Sequence, residues 1–136
     1  MGEGADVSVS EQDGAHAEAV LSQYEALINR HDFELLVPLI AQDAVFWFND
    51  GSHSGLGEIR RAFEETWAKF PLERYWLEDR RWLAKGEGAA GCTYRFCWQA
   101  SKDGKLVSGG GRGTTLLRQD AGIWRIVHEH LSQFPR

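Results

Sequence analysis

After Pro71 the sequence holds four long strand-like runs, about Arg74–Ala84, Ala89–Ala100, Leu106–Gln119 and Ile123–Phe134. They are separated by Gly86-Glu87-Gly88, Lys102-Asp103-Gly104 and Asp120-Ala121-Gly122, short breaks in which a glycine can take the left-handed turn position. Runs joined by such short turns pair antiparallel, so this half of the chain predicts a meander of hairpins. A sheet that buries one face needs a second layer against it, and the N-terminal half has the periodicity to supply one.

From Ala15 to Arg30 the apolar positions Ala17, Val20, Leu21, Tyr24, Leu27 and Ile28 recur at helical spacing and share a face. Asp32 can cap a second, short helix to about Ile40, shortened or bent by Pro38. Ala44 to Phe48 is too short for a helix and rich in aromatic and β-branched residues, so it reads as the first strand, with Asn49-Asp50-Gly51-Ser52 as a turn. A third helix opens at Ser54 or Gly55, carries Leu56, Ile59, Phe63, Trp67 and Phe70 on one face, and stops at Pro71. Helices first and strands afterwards predict an α+β domain, three N-terminal helices packed on one face of a curved, mostly antiparallel sheet.

Residues 1–14 are rich in Gly, Ser, Asp and Glu without apolar periodicity, which predicts a disordered tail and leaves 15–136 as a single domain. With 43% hydrophobic residues in 136, the chain can fill one sizeable core. The 20 acidic and 15 basic residues are dispersed and no Lys/Arg run occurs, so nucleic acid is not an expected partner. Neither a membrane-length apolar stretch nor a signal-like N-terminus is present, which points to the cytoplasm. Cys92 and Cys97, five apart on one strand, are poorly placed for a bridge and fit a reducing compartment.

In the run 89–100 the even positions Ala90, Cys92, Tyr94, Phe96, Trp98 and Ala100 are apolar, alternating with Thr93, Arg95 and Gln99, so the even face is the buried one. If the turns at 103–104 and 120–122 share a loop type, the buried face carries over to Trp124, Ile126, His128, His130 and Ser132. A one-residue slip would instead bury Arg125, Val127, Glu129 and Leu131. Arg112 sits near Tyr94 and His130 with three-residue loops and opposes Glu129 on the outer face with two-residue loops. The surrounding Gly109, Gly110, Gly111 and Gly113 permit a bulge or the close approach of a ligand.

The order of elements and several strings resemble the SnoaL-like branch of the nuclear transport factor 2 superfamily over about Glu18 to Phe134. These strings are Ala41-Gln42-Asp43-Ala44-Val45, Gly55-Leu56-Gly57-Glu58-Ile59-Arg60, and Gly122 to Ser132 with its Trp124, His128-Glu129-His130 and Ser132. The last is also similar to the association (hub) domain of calcium/calmodulin-dependent kinase. The resemblance implies a cystatin-like, cone-shaped sheet around an internal pocket closed by the helices, and a homodimer through the sheet. It implies no single activity, because isomerases, cyclases, dehydratases and non-catalytic modules share such a fold. Aligned on Asp43-Ala44, Tyr24 falls on the oxyanion-hole tyrosine of ketosteroid isomerase, whereas that enzyme's general-base Asp falls on Phe48 and its second donor near Thr114. A phenyl ring cannot abstract a proton, so that route is closed unless Asp50 supplies the base.

His128 and His130, two apart on a strand, point to one face. They could ligate a metal with a third ligand such as His53 or Asp50, form a hydrogen-bonded pair at a sheet edge or dimer contact, or supply a general acid or base. Lacking a defined third ligand, no metal and no other cofactor is expected. No Gly-x-Ser-x-Gly, phosphate-binding loop or His-Glu-x-x-His string occurs. The expected function is a pocket protein for a small apolar or aromatic molecule, with His128, Tyr24 and Asp50 as candidate proton-transfer residues. Trp47, Tyr94, Phe96, Trp98, Arg112, His130 and His53 are its expected pocket residues. The rival expectation is a non-catalytic association module built on the outer sheet face.

Overall fold

The computed structural model describes residues 16–135; the tail expected at 1–14 lies outside them. Helix α1, residues 16–28, buries Ala17, Leu21, Tyr24 and Ile28, the spacing of one helical face. The short second helix is two consecutive 3₁₀ turns, Phe33–Leu35 and Val37–Leu39. Asp32 caps the first of these through Glu34 N–H, and Pro38 is the second residue of the other, in its first turn, where its missing N–H costs no bond.

Strand β1 spans Ile40–Phe48, starting earlier than the aromatic run suggests, and turns through Asn49-Asp50 into β2, Gly51–Ser54. The polar β2 carries none of the composition of a strand and exists because β1 offers it a ladder to pair with. Gly55, at φ 85°, leads into α2, Leu56–Lys69, and Glu58 reaches back to accept from Ser54 N–H at 2.9 Å. Helix α2 buries Ile59, Ala62, Phe63 and Trp67. Among the described residues no helix is long and apolar enough to cross a membrane.

The C-terminal half is the expected meander: β3 Arg74–Lys85, β4 Ala89–Lys102, β5 Lys105–Asp120 and β6 Ile123–Gln133. The six strands form one sheet in the order β2-β1-β6-β5-β4-β3, antiparallel except for the parallel pair β1·β6. Helix α1 and the turn that follows it hold the edge strand β3: Asn29 both accepts from Tyr75 N–H at 2.7 Å and donates to Tyr75 C=O at 2.8 Å, while Glu25 accepts from Leu77 N–H at 2.7 Å. Side chains thus satisfy backbone groups that an open edge would leave bare.

Both turns flanking β5 are two-residue loops, Asp103-Gly104 and Ala121-Gly122, and all four residues have positive φ, the geometry that matches strand twist. The shared loop type carries the buried face from Tyr94 and Phe96 on β4 to Trp124 and Ile126 at the start of β6, both buried. The register then breaks. Leu117 pairs with Ile126 but Leu116 pairs with His128, so Val127 is an extra residue, a β-bulge. Beyond it the parity inverts, burying Glu129 and turning His128 and His130 to the other face. Neither of the two continuous registers open to the sequence describes β6; its first half follows one and its second half the other.

The glycines of β5 form an unbroken ladder against β4, with no bulge among them. Gly109, Gly111 and Gly113 lie opposite Trp98, Phe96 and Tyr94, whose rings lie across β5. A Cβ at Gly113 would come within 2.4 Å of the Tyr94 ring, and one at Gly109 within 2.6 Å of the Trp98 ring. The missing side chains make room for three aromatic rings of the inner face. Gly111→Ala would set a Cβ 2.0 Å from the Ser132 carbonyl oxygen, a backbone collision that no rotamer relieves. We expect it to lower unfolding free energy by about 1–3 kcal/mol in urea denaturation, while Gly88→Ala, where the added methyl meets nothing within 4 Å, leaves the midpoint nearly unchanged.

Candidate functional site

Where the two helices cross the inner face near the β1–β2 turn, a cavity of about 260 Å³ remains open. Its apolar wall is dominated by six aromatic rings, Phe48 from β1, Phe63 and Trp67 from α2, Tyr75 from β3, and Phe96 and Trp98 from β4, with Ile28, Ala62 and Leu131 between them. Its acidic groups are Asp50 from the turn, Glu73 just ahead of β3, and Glu129 from β6. An engineered apolar cavity of about 150 Å³ holds benzene, so this one has room for a ring bearing a few further atoms.

Glu129 is the deepest of these groups, 1% exposed. It shares the inward row with Phe46 and Thr115, its partners on β1 and β5. The Tyr24 hydroxyl, reaching across from α1, donates to Glu129 Oε2 at 2.6 Å. Burial raises the Glu129 carboxyl to about 7, and the Tyr24 hydrogen bond opposes part of that rise. Burial first, then the nearby Glu129 charge, pushes the Tyr24 phenol well above its ordinary value, so it remains a donor. Tyr94 and Thr115 hydroxyls satisfy one another at 2.7 Å. Tyr75 carries a buried hydroxyl with no hydrogen-bond partner in the protein, and it is electrostatically coupled to Glu129 and Glu73. Desolvation also raises the half-buried Glu73 carboxyl to about 7.

The expected site residues divide between the faces of the sheet. Tyr24, Phe96, Trp98 and Asp50 come together: Tyr24 holds Glu129, the two rings form wall, and Asp50 lies at the rim with a largely exposed carboxyl. Tyr94 is buried beside this group without lining the cavity. His53 packs on Phe48 with its Nε2 3.5 Å from Asp50 and lines a neighbouring surface groove.

The placement of His128, His130, Trp47 and Arg112 in the pocket is corrected: all four lie on the opposite face. The bulge at Val127 turns both histidines outward, where Trp47 meets each ring edge-on. His128 Nδ1–H donates to Val45 C=O at 2.6 Å, a bond that fixes the ring in the sheet. Arg112 pairs across the ladder with Ser132 and Arg95, not with Glu129: the Ala121-Gly122 loop already sets Glu129 two residues away from Arg112, and the bulge shifts it one further, opposite Thr115. Thr114 is turned outward with His130, while Thr115 occupies the inner row. Among the described residues no cluster of His, Cys, Asp or Glu is placed to hold a metal.

The sequence reading missed Glu129, Glu73 and Tyr75. Glu129 was present in it as a buried position of the slipped register. Glu73 follows a helix stop with no pattern around it, and only the fold brings it to the cavity.

Because the Glu129 carboxyl titrates near 7 in the folded protein and near 4.5 unfolded, its ionisation opposes folding as pH rises between these values. The neutral carboxyl's contribution is whole below about pH 4.5 and lost above about 7. Glu129→Gln is therefore expected to be nearly neutral in stability at the acid end and increasingly stabilising towards about pH 8, by up to about 3 kcal/mol. Urea midpoints of both proteins across that range would measure the difference.

A family model for the SnoaL-like domain matches residues 17–136. No curated protein matches the sequence. Among solved structures, a candidate dehydratase of the NTF2-like family from Streptomyces avermitilis is 19% identical, with a TM-score of 0.81 over 93% of this chain and 99% of that one. An uncharacterized protein with a cystatin-like fold from Caulobacter vibrioides is 17% identical, with a TM-score of 0.78 over 91% of each chain. The calcium/calmodulin-dependent kinase II hub of S. rosetta is 20% identical, with a TM-score of 0.72 over 86% of this chain and 95% of that one. Identities this low carry the fold alone. With the family model covering all of the described domain but its first residue, the chain belongs to the SnoaL-like domain family, on the cystatin-like fold of the NTF2-like proteins.

Proposed function

We propose that the protein binds a small, ring-bearing molecule in this cavity and moves a proton on it with Glu129. The observation that carries this reading is a buried carboxyl, free of any cationic partner, held by the Tyr24 hydroxyl and opening onto an aromatic cavity beside the unpartnered Tyr75 hydroxyl. A carboxyl poised near 7 exists in both protonation states at neutral pH and can take a proton or return it. In the base direction, Glu129 carboxylate accepts a proton from an acidic C–H, the C–H pair becomes the enolate, and Tyr75 O–H donates to the developing oxyanion. In the acid direction, the carboxyl returns that proton to another carbon, an isomerisation, or to a departing hydroxyl, a dehydration. Tyr24 positions the carboxyl and limits its pKa. In this reading the base sits on β6, while the position aligned with an isomerase's Asp is the Phe48 wall.

The test is a carbon acid of suitable size, 5-nitrobenzisoxazole, whose ring opens when a base removes its C–H proton and releases a coloured phenolate. We expect acceleration that rises with pH through about 7. Glu129→Gln is expected to lower it by about 100-fold or more, with His128→Ala close to wild type. Equal rates for wild type and Glu129→Gln would remove Glu129 from the mechanism.

The opposite face favours a second, compatible role as a homodimer contact. Trp47 is 45% exposed and Leu116 42% exposed, and they flank His128 on this face, with His130 beside Trp47. Large apolar side chains grouped on an uncovered sheet face suit a second copy of the chain. Light scattering at micromolar concentration is expected to give a dimer, and Trp47→Arg a shift towards monomer without loss of the cavity's activity.

A further inference from the structure

We infer that the cavity selects an organic cation, a protonated or quaternary amine carried on a small ring, over a neutral molecule of the same shape. This deepens the proposed function by naming its substrate class, and it rests on the cavity being a small-molecule site. The wall contains no Lys, Arg or His, yet Asp50, Glu73 and Glu129 all reach it.

Elsewhere on the described chain carboxylates either pair with cations, as Glu25 with Arg80, Glu34 and Glu64 with Arg60, and Asp43 and Asp120 with Arg118, or stand exposed to water, as Glu58 and Glu65 do. Glu73 and Glu129 have no such partner, and Asp50 reaches only the His53 ring at 3.5 Å. Glu129 and, in part, Glu73 are brought out of water without a counter-charge, which leaves a deficit of positive charge that the exposed Asp50 at the rim adds to, and here a ligand is what can supply it.

Two independent features point the same way. The carboxyls are set among aromatic rings, whose faces attract a cation, most strongly where it is desolvated. The Tyr75 side chain is 9% exposed and its hydroxyl lacks a partner, so its oxygen is free to accept an ammonium N–H or to face the positive methyl groups of a quaternary centre. An anionic ligand would meet three carboxyls and no compensating cation, and a neutral hydrocarbon would leave the Tyr75 hydroxyl unsatisfied.

The experiment compares phenyltrimethylammonium with tert-butylbenzene, which share a shape and differ in charge, by calorimetric titration of the full chain at about pH 8, above the value of about 7 to which burial raises both Glu73 and Glu129. The expected result is at least about tenfold tighter binding of the cation. Glu73→Gln is expected to weaken the cation about fivefold or more and leave tert-butylbenzene unchanged, which also reports that the variant is folded. Equal or tighter binding of tert-butylbenzene to the wild type would overturn the cation preference while leaving the pocket reading intact. Binding of neither compound would overturn both.

Discussion

The hydrogen bond from Tyr24 to Glu129 joins the helical layer to the centre of the sheet at the one buried carboxylate among the described residues. A hydrogen bond to a charged group contributes about 1.5–3 kcal/mol, and removing either partner would strand the other. The tyrosine needs an acceptor because it lies on the buried face of α1, and the carboxyl needs a donor because the bulge at Val127 turns it inward. Each group's burial is tolerable because of the other, so the pair fixes how α1 sits over β6.

The cavity is a consequence of the same arrangement together with the glycines of β5. A sheet filled with side chains on its inner face would close against the helices. Here Gly109, Gly111 and Gly113 let Trp98, Phe96 and Tyr94 lie across the strand, so the sheet presents flat rings in place of upright side chains. Helix α2 adds Phe63 and Trp67 from the other side. The aromatic wall lowers the local dielectric, which is why carboxyls facing it hold their protons to unusually high pH.

The chemistry-bearing side chains therefore divide between the faces of one sheet. The inner face carries the carboxyls and rings; the outer face carries Trp47, Leu116 and the two histidines, whose grouping suits contact with another surface. A one-residue insertion in β6 is what assigns Glu129 to the first and His128 and His130 to the second. Bulges often serve to re-aim side chains beside functional sites, and this one exchanges an imidazole for a carboxyl.

Periodicity and turn chemistry in the sequence determined both helices, the meander, the buried face of β4 and the continuation of that face to Trp124 and Ile126, because each rests on near-neighbour spacing that every local window displays. Tyr24, Phe96 and Trp98 were legible for the same reason: they lie on faces defined within their own elements. What tertiary structure alone decided was the second half of β6, the pairing of β2, and the convergence of Glu73 and Tyr75 on the cavity. A bulge leaves the alternation of its own strand unmarked when both faces carry polar residues, as in His128-Glu129-His130, and its position is set by pairing with β5 and β1. The identity of the inward group was therefore undetermined until those two strands were in place.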